Sequence, residues 1–430
     1  MTRPLDVAIV GAGVAGLAAA TLLARAGHRV VLYERFETPR PVGSGLMLQP
    51  PGLAALARLG LRAEIEALGA RIGGLRGVTV PRGRVVFDLA YAELDPALHA
   101  LAVHRAALHG VLWRAFLASG ATLEAGRRIV AVETRAGGRG SVVDETRAGG
   151  RGSVVDETGR VSASADLVVD ASGARSVLRG AVVPGAAPRA FAYGAVWASF
   201  PDIGIAPGRL VQRYVAARVM IGYLPLGRVA MGEDPCAALF WSLKPRDHSA
   251  WAAGFEAWRD EARAIWPELA PALATLPGAE AFTLASYGHF TAARVHRGPM
   301  LLIGDAAHAT SPQLGQGANH GLLDAVSLAD ALAAAPDLPA ALAQHERARR
   351  RQVRFYQRAS LLMTPFFQSD SRILARARDA TFAPVAAIPW VRREMLRTLA
   401  GLKTGLLTSA RSAEALVGAP EAAGAAAPMA

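Results

Sequence analysis

Short unbroken apolar runs alternate along this chain with stretches whose apolar residues recur at helical spacing. Leu5–Val10 is a mostly apolar run bounded by Gly11, which predicts a buried strand. Val14–Ala26 has the helical pattern and ends at Gly27, a natural C-cap. His28–Tyr33 is a second β-branched run, so the chain opens strand–helix–strand. Pro50–Leu59 predicts a helix closed by Gly60, Arg71–Leu89 strands about a turn at Pro81-Arg82-Gly83, and His104–Ser119 another helix. From 190 to 285, runs such as Leu210–Ala216 and Val219–Leu224, rich in aromatic neighbours, precede a helix around Ala250–Ile265, and together they read as a separate layer. Met300–Ile303 is a buried strand leading to a long helix from about Gln316 to Ala335, and the chain beyond 340 is mostly helical. Gly418–Ala430, rich in Ala, Gly and Pro, is expected to be disordered.

One segment fits no element. ETRAGGRGSVVD occupies 133–144 and recurs identically at 145–156, between the strand-like runs Ile129–Val132 and Val161–Val169. Two copies do not make a solenoid. The expectation is a duplication that lengthens a surface hairpin, because loop closure costs little extra entropy as length grows.

The opening carries chemistry. GAGVAG at 11–16 follows the first strand and starts the first helix. Gly11 permits the tight turn, Gly13 lets a pyrophosphate reach the backbone, and Gly16 allows close helix–strand packing. The free N–H groups and positive dipole end of the helix, at Val14 and Ala15, favour phosphate. Glu34 lies at the end of the second strand, 18 residues after Gly16, where a carboxylate can accept from ribose hydroxyls. Dinucleotide binding is the reading; a glycine-rich turn without a ligand is its alternative.

Composition trims the options. Of 47 basic residues only Lys244 and Lys403 are lysines, the net charge is +12, and the arginines are mostly scattered. No nucleic-acid motif accompanies them, so no nucleic-acid partner is expected; the charge suits anionic ligands or acidic lipid headgroups instead. A single cysteine, Cys236, excludes an intramolecular disulfide and any multi-cysteine metal site, and suits a cytoplasmic location. Arg3 and the apolar stretch to Ala24 are broken by three glycines and do not read as a signal peptide. No apolar run reaches 18 residues, so no spanning helix is expected.

The second motif is LLIGDAAHATSPQLGQGANHGLLDA, residues 301–325. Gly304, Asp305, His308, Pro312, Gly315, Gln316, Gly317, Asn319 and Asp324 resemble the second FAD fingerprint of the class A flavoprotein monooxygenases, the aromatic hydroxylases with the para-hydroxybenzoate hydroxylase fold. DLVVDASGARSVLR (166–179) resembles their middle motif through Gly173, Ser176 and Arg179, with Ser172 where the family has Asp. That departure bears on the nicotinamide contact. VHRAALHGVL (103–112) resembles the segment whose arginine, here Arg105, contacts FAD. GYLPLGR (222–228) is similar to the substrate-domain strand leading to the active site, and TPFFQSDSRILARARD (364–379) to the C-terminal helices of ubiquinone-biosynthesis hydroxylases.

The resemblance implies an α/β fold: one Rossmann-like (GR2-type) FAD-binding domain, an inserted mixed-sheet substrate domain and C-terminal helices. The expected boundaries are 1–75, 98–182 and 286–350 for the FAD-binding domain, 76–97 and 183–285 for the substrate domain, 351–417 for the helical region and 418–430 for the tail. FAD contacts are expected from Gly11, Gly13, Val14, Ala15, Gly16, Glu34, Arg35, Arg105, Gly304, Asp305, Pro312, Gly315, Gln316, Gly317, Ala318 and Asn319. The implied activity is monooxygenation: NADPH or NADH reduces the flavin, O2 adds at C4a, and the hydroperoxide passes one oxygen atom to an apolar, aromatic or quinone-like small molecule. A prenyl-type reductase of the same superfamily and a Baeyer–Villiger or epoxidase variant stay open, as does a flavin-holding protein without this chemistry. A flavin halogenase is excluded by the missing Trp-x-Trp-x-Ile-Pro motif and the positions of both lysines. Tyr193, Trp197, Arg213, Tyr214, Tyr223, Trp241 and Phe290 are the pocket candidates, of which Arg213 and Tyr214, adjacent on one strand, must face opposite ways. No catalytic residue and no metal ligand is singled out. Peripheral membrane association through the arginine-bearing C-terminal helices also stays open.

Overall fold

Asp6–Val10 becomes the centre of a six-stranded sheet. The structure, a computed structural model, describes residues 3–38, 44–135 and 150–418. The sheet order is His296–Arg297, Met300–Leu302, Leu167–Asp170, Asp6–Val10, Arg29–Tyr33, Thr122–Glu124, with only the His296–Arg297 edge antiparallel to its neighbour. Parallel neighbours need a crossover, and the helix Val14–Arg25 supplies the first. The all-buried strand Leu167–Asp170 is what a sheet covered on both faces demands. The helix Gly317–Ala334 packs on Val14–Arg25 at a place lined by small residues. A Cβ added to Gly321, or to Gly304 just before the helix Asp305–His308, would stand 3.1 Å from that of Ala15.

The second layer is a seven-stranded mixed sheet. Its order is Thr283–Ala285, Gly194–Pro201, Cys236–Leu243, Val219–Gly227, Arg209–Val215, Gly74–Thr79, Val85–Ala90, and its one parallel pair is Arg209–Val215 with Gly74–Thr79. Both faces are buried, against different partners. Val196, Ile221, Tyr223, Leu239 and Trp241 pack with Trp251, Phe255, Trp258 and Phe282 into an aromatic core beneath the helices His248–Ala253 and Phe255–Ile265. Tyr214, Met220, Leu224, Leu226, Ala238 and Phe240 face the other way and join the core of the first half. The helix expected around Ala250–Ile265 is thus two helices meeting at Gly254. A three-stranded sheet of Gly45–Leu48, Ala100–His104 and Ala70–Ile72 lies against the strand Val219–Gly227.

Ile129–Arg135, which runs into the duplicated segment, pairs antiparallel with Arg151–Asp156 at its end; residues 136–149 lie outside the described residues, as does the tail expected to be disordered beyond Gly418. The C-terminal region begins inside one continuous helix, Leu338–Phe367, which runs across the boundary expected at 350/351. Arg372–Ala386 and Pro389–Leu399 follow. Among the described residues no helix is long and apolar enough to cross a membrane.

Arg378 fastens this region to the mixed sheet. It is fully buried, lies over the rings of Tyr214 (4.6 Å) and Phe367 (5.4 Å), and pairs with Asp379 at 2.7 Å. Its guanidinium donates to the carbonyls of Phe366 and of Ala216, whose φ of +51° makes the tight turn between two sheet strands. Replacing it leaves these acceptors unpaired in a dry site. Arg378→Met is therefore expected to cost about 3 kcal/mol, measurable as a lower denaturation midpoint with unchanged flavin stoichiometry in the folded protein.

Candidate active site

The first glycine turn is open on one side, at Gly13. Gly11 has φ +104°, and a Cβ on Gly16 would stand 1.9 Å from the Gly11 carbonyl oxygen, so neither position tolerates a side chain. A Cβ on Gly13 would meet nothing within 4 Å. Gly13 is also the N-cap of Val14–Arg25, which has no side-chain cap and no acidic residue in its first turn. The N–H groups at Val14 and Ala15 thus stand at the dipole's positive end without an intrahelical partner. Glu34 Oε2 accepts from Ala12 N–H at 2.8 Å, which fixes the carboxylate beside the turn. His109, which the sequence reading passed over, touches the Ala12 carbonyl at 3.2 Å through Nε2 and stacks on Trp113. Arg35 is exposed, over the ring of Phe36.

The second motif is organised from behind by Asp324. Its carboxylate is 2% exposed and accepts from Gly304 N–H (2.8 Å) and Arg349 Nε (2.7 Å), with His308 Nε2 at 2.6 Å. Burial alone would raise the pKa of this acid, but the charges of His308 and Arg349 outweigh it and hold the carboxylate far below its usual range. Gly304 takes φ +58°, ψ −143°, a glycine-only conformation, and the turn delivers Asp305 to the groove. The Asp305 carboxyl opens onto the groove, yet enough protein surrounds it that desolvation raises its pKa. It lies beside Gly317, the first residue of Gly317–Ala334. Gln316, the N-cap of that helix, turns its side chain away to donate to Leu399 O, so the helix has no side-chain cap. Gly317 and Ala318 keep their backbone N–H groups at its positive end. Gly315 is left-handed at φ +60°, and Pro312 opens the exposed turn before it.

Asn319 is fully committed to backbone. It accepts from Gln49 N–H at 2.8 Å and donates to the carbonyls of Gly315 and Met47. Its side chain therefore positions the turn and the strand Gly45–Leu48. Gln49, also overlooked in the sequence, accepts from Tyr91 Oη at 2.7 Å, while its Nε2 is buried without a partner, close to Gly315. The middle motif closes on itself: Asp170 accepts from the N–H and hydroxyl of Ser172 and from Ser176 Oγ. Arg179 lies over Phe290 at 4.4 Å and donates to the carbonyls of Ala306 and Asp305, clamping the two motifs together.

The groove continues onto the inner face of the mixed sheet. Ser199 there meets Ser44 of the first half at 2.5 Å. Trp197 packs on Phe240 at 4.7 Å and donates through Nε1 to Tyr287 Oη at 3.3 Å. Arg105 N–H donates to the Ser44 carbonyl at 2.8 Å, so Arg105 and the Ser44–Ser199 contact bring the first half and the Trp197 face of the mixed sheet together. The other pocket candidates lie elsewhere. Tyr223 and Trp241 belong to the outer aromatic core, and Arg213 pairs with Glu268 over the ring of Trp266 on that side. Tyr214 faces inward but is sealed under Phe87, Phe367 and Arg378. Tyr193 donates to Asp370 beneath Lys244, and Phe290 packs in the first half under Arg179. Tyr287 was missed because a lone Tyr in a short polar stretch carries no periodic signal.

Two uncapped helix N-termini, an open glycine and an orphaned amide donor fit a long dianionic cofactor with a polar ring system. The family comparison agrees: the model of the FAD binding domain family matches residues 4–359, and the chain belongs to that family. It is an FAD-dependent monooxygenase of the class A, aromatic-hydroxylase type. The 3-amino-4-hydroxybenzoate 2-monooxygenase of Streptomyces cremeus is 32% identical over 388 residues, covering 86% of this chain and 89% of its own. The FAD-dependent urate hydroxylase of Klebsiella pneumoniae is 26% identical over 356 residues, covering 80% and 86%. Klebsiella pneumoniae HpxO, solved with FAD and uric acid, has the same fold, with TM-score 0.74 at 20% identity over 92% of this chain and 97% of that one. P. aeruginosa PqsL, solved with 2-aminobenzoylacetate, gives 0.72 at 23% over 89% and 100%.

Two outcomes are expected. Gly13→Ala has room for its methyl group and should fold normally, yet lose at least about tenfold in FAD affinity as a phosphate contact is blocked, read by flavin titration of the apoprotein; Gly16→Ala should fail to fold stably. Separately, His345 is buried against Ser327, with Asp324, Arg349, His308 and His296 around it, and burial lowers its pKa to about 4. Only the unfolded chain protonates this group between about pH 6.5 and 4, so stability falls as pH drops through that window. A loss on the order of 2–3 kcal/mol follows, and urea midpoints against pH should show a shallower fall for His345→Gln.

Proposed function

We propose that this monooxygenase is driven by NADPH or NADH and places one oxygen atom from O2 on an electron-rich aromatic or quinone-like substrate. The observation that carries the reading is the meeting of the two halves at Ser44 and Ser199, two residues along the strand from Trp197, which holds Phe240 and Tyr287 beside it. FAD, when bound, supplies the electron transfer and oxygen activation at C4a.

The protein's own part can be followed atom by atom. Glu34 is placed for ribose hydroxyls, and the N–H groups at Val14 and Ala15 for the pyrophosphate. Asp305 is placed for the ribityl chain, and the N-terminus at Gly317 and Ala318 for negative charge on the ring's pyrimidine edge. Gln49 Nε2 is the free donor on the same side. Trp197, backed by the buried ring of Phe240, offers an apolar surface that suits an aromatic ring and excludes water. Burial raises the Tyr287 pKa to about 12, so it stays a neutral phenol. Its oxygen accepts from Trp197, which leaves its hydrogen to orient a substrate oxygen. Ser172 gives its hydroxyl to Asp170, and Arg179 holds carbonyls, so a nicotinamide would be held by other groups than these side chains. The relatives named for aminohydroxybenzoate and urate support an aromatic or heteroaromatic substrate.

The test is the visible spectrum of the purified protein, with NADPH or NADH added in air beside a panel of phenols, aminobenzoates and quinones. Bleaching and recovery that quicken with one compound, and label from isotopic O2 in its product, are expected. A flavin inert to both nicotinamides would sink the proposed reductant, and an unlabelled, saturated product would make this the prenyl-type reductase instead. Tyr287→Phe should raise KM about fivefold, the loss of one neutral hydrogen bond, with flavin content unchanged in steady-state assays.

A further inference from the structure

Positive charge is concentrated near the C-terminus. Residues 338–418 hold 14 of the 47 basic residues and five of the 35 acidic ones, so +9 of the net +12 lies in this stretch. The same stretch carries eight of the fifteen large apolar side chains exposed among the described residues, including Trp390, Leu406 and Leu407 at 66%, 79% and 83% exposure. Bare leucines beside unpaired cations suit a partner that is apolar and anionic at once.

The geometry makes one docking face of these features. Leu406 and Leu407 form the tip of a hairpin closed by the N–H groups of Thr404 and Gly405, which both donate to Thr408 O at 3.0 and 3.2 Å. Lys403 Nζ donates to Leu406 O and pairs with Glu394, pinning the hairpin to the helix Pro389–Leu399. Trp390 sits one helical turn before Glu394, on the same side of that helix. Between the hairpin and Leu338–Phe367 lies a cavity of about 320 Å³, lined by Arg347, Arg351, Thr404 and Thr408 among others and by no acidic residue among those described. Arg347 and Arg351 are exposed, one turn apart, and have no ion pair or hydrogen bond among the described residues.

We propose that this face docks on an anionic bilayer, with a lipid phosphate held between Arg347, Arg351, Thr404 and Thr408 and with Leu406 and Leu407 below the headgroups. Two guanidinium groups and the Thr408 hydroxyl, which accepts from the Thr404 hydroxyl at 3.1 Å and keeps its own hydrogen to donate, match the oxygens of a phosphodiester, and the cavity has room for one. The leucine tip reaches past it into the acyl region. A second copy is the poorer occupant, because a two-fold contact would set this cationic face against itself.

Flotation of the full-length, FAD-loaded protein tests this, with vesicles of phosphatidylcholine alone and of phosphatidylcholine mixed with phosphatidylglycerol. Binding is expected to the mixed vesicles only, and to weaken in high salt. Arg347→Ala combined with Arg351→Ala should reduce it at least about tenfold, and Leu406→Ser with Leu407→Ser should do likewise through the lost apolar area. Flavin content and melting temperature should stay at the wild-type values in both. Equal uptake by the two vesicle types, no uptake, or wild-type flotation of either double variant overturns the proposal. Stabilisation by inorganic phosphate without flotation also overturns it, making the cavity a site for a free anion. So does a dimer in sedimentation that the serine variant splits, which would make the face a contact between copies.

Discussion

A buried carboxylate must be neutralised by its surroundings or give up its charge, and the way Asp324 meets this demand organises the rest of the molecule. Its three partners come from three places: the Gly304 backbone, His308 one turn later, and Arg349 from a distant helix. Because the donors are fixed in direction, the glycine turn has one conformation, and that conformation aims Asp305 at the groove. Arg349 then passes the constraint outward. Gln352 accepts from it and donates to Gly401, while Tyr356 donates to Thr398, so the C-terminal helices are locked to the back of the flavin turn. A region distant in sequence from the cofactor motifs is in this way part of their framework.

The groove shows a second economy. Several of its strongly polar groups are spent within the protein: Asn319 on the strand end and the turn, Arg179 on four carbonyls, Asp170 on two serines. Such a site carries little reorganisation cost, since fixed dipoles rather than mobile charges meet the changing charge of a redox ring. The chemistry belongs to the cofactor; the chain contributes dryness and direction.

Both glycine turns were legible because backbone geometry is written in residue type: Gly11, Gly16 and Gly304 stand where a side chain would collide or strain. The pocket was not legible. Period-2 reading identifies a face only when one side is wet, and here a strand such as Cys236–Leu243 is buried on both sides. Trp241 and Phe240 look equivalent in the sequence, yet one belongs to the outer core and the other packs behind Trp197 in the core of the first half. The roles of Gln49 and His109 depend on contacts across the fold that no local pattern encodes. The two-helix break at Gly254 was missed because a lone glycine in a helical pattern is also compatible with a continuous helix.

The doubly covered sheet has a further consequence, for how such an enzyme can change. Along each strand, odd and even positions answer to different demands: Trp197 and Ser199 to whatever occupies the groove, Val196, Ala198 and Phe200 to an aromatic core that never meets a ligand. Substrate preference can drift through one set while the other keeps the fold above its stability threshold. Adjacent codons would then evolve at different tempos, and the record of an ancestral substrate would survive as a two-residue rhythm in the variability of these strands.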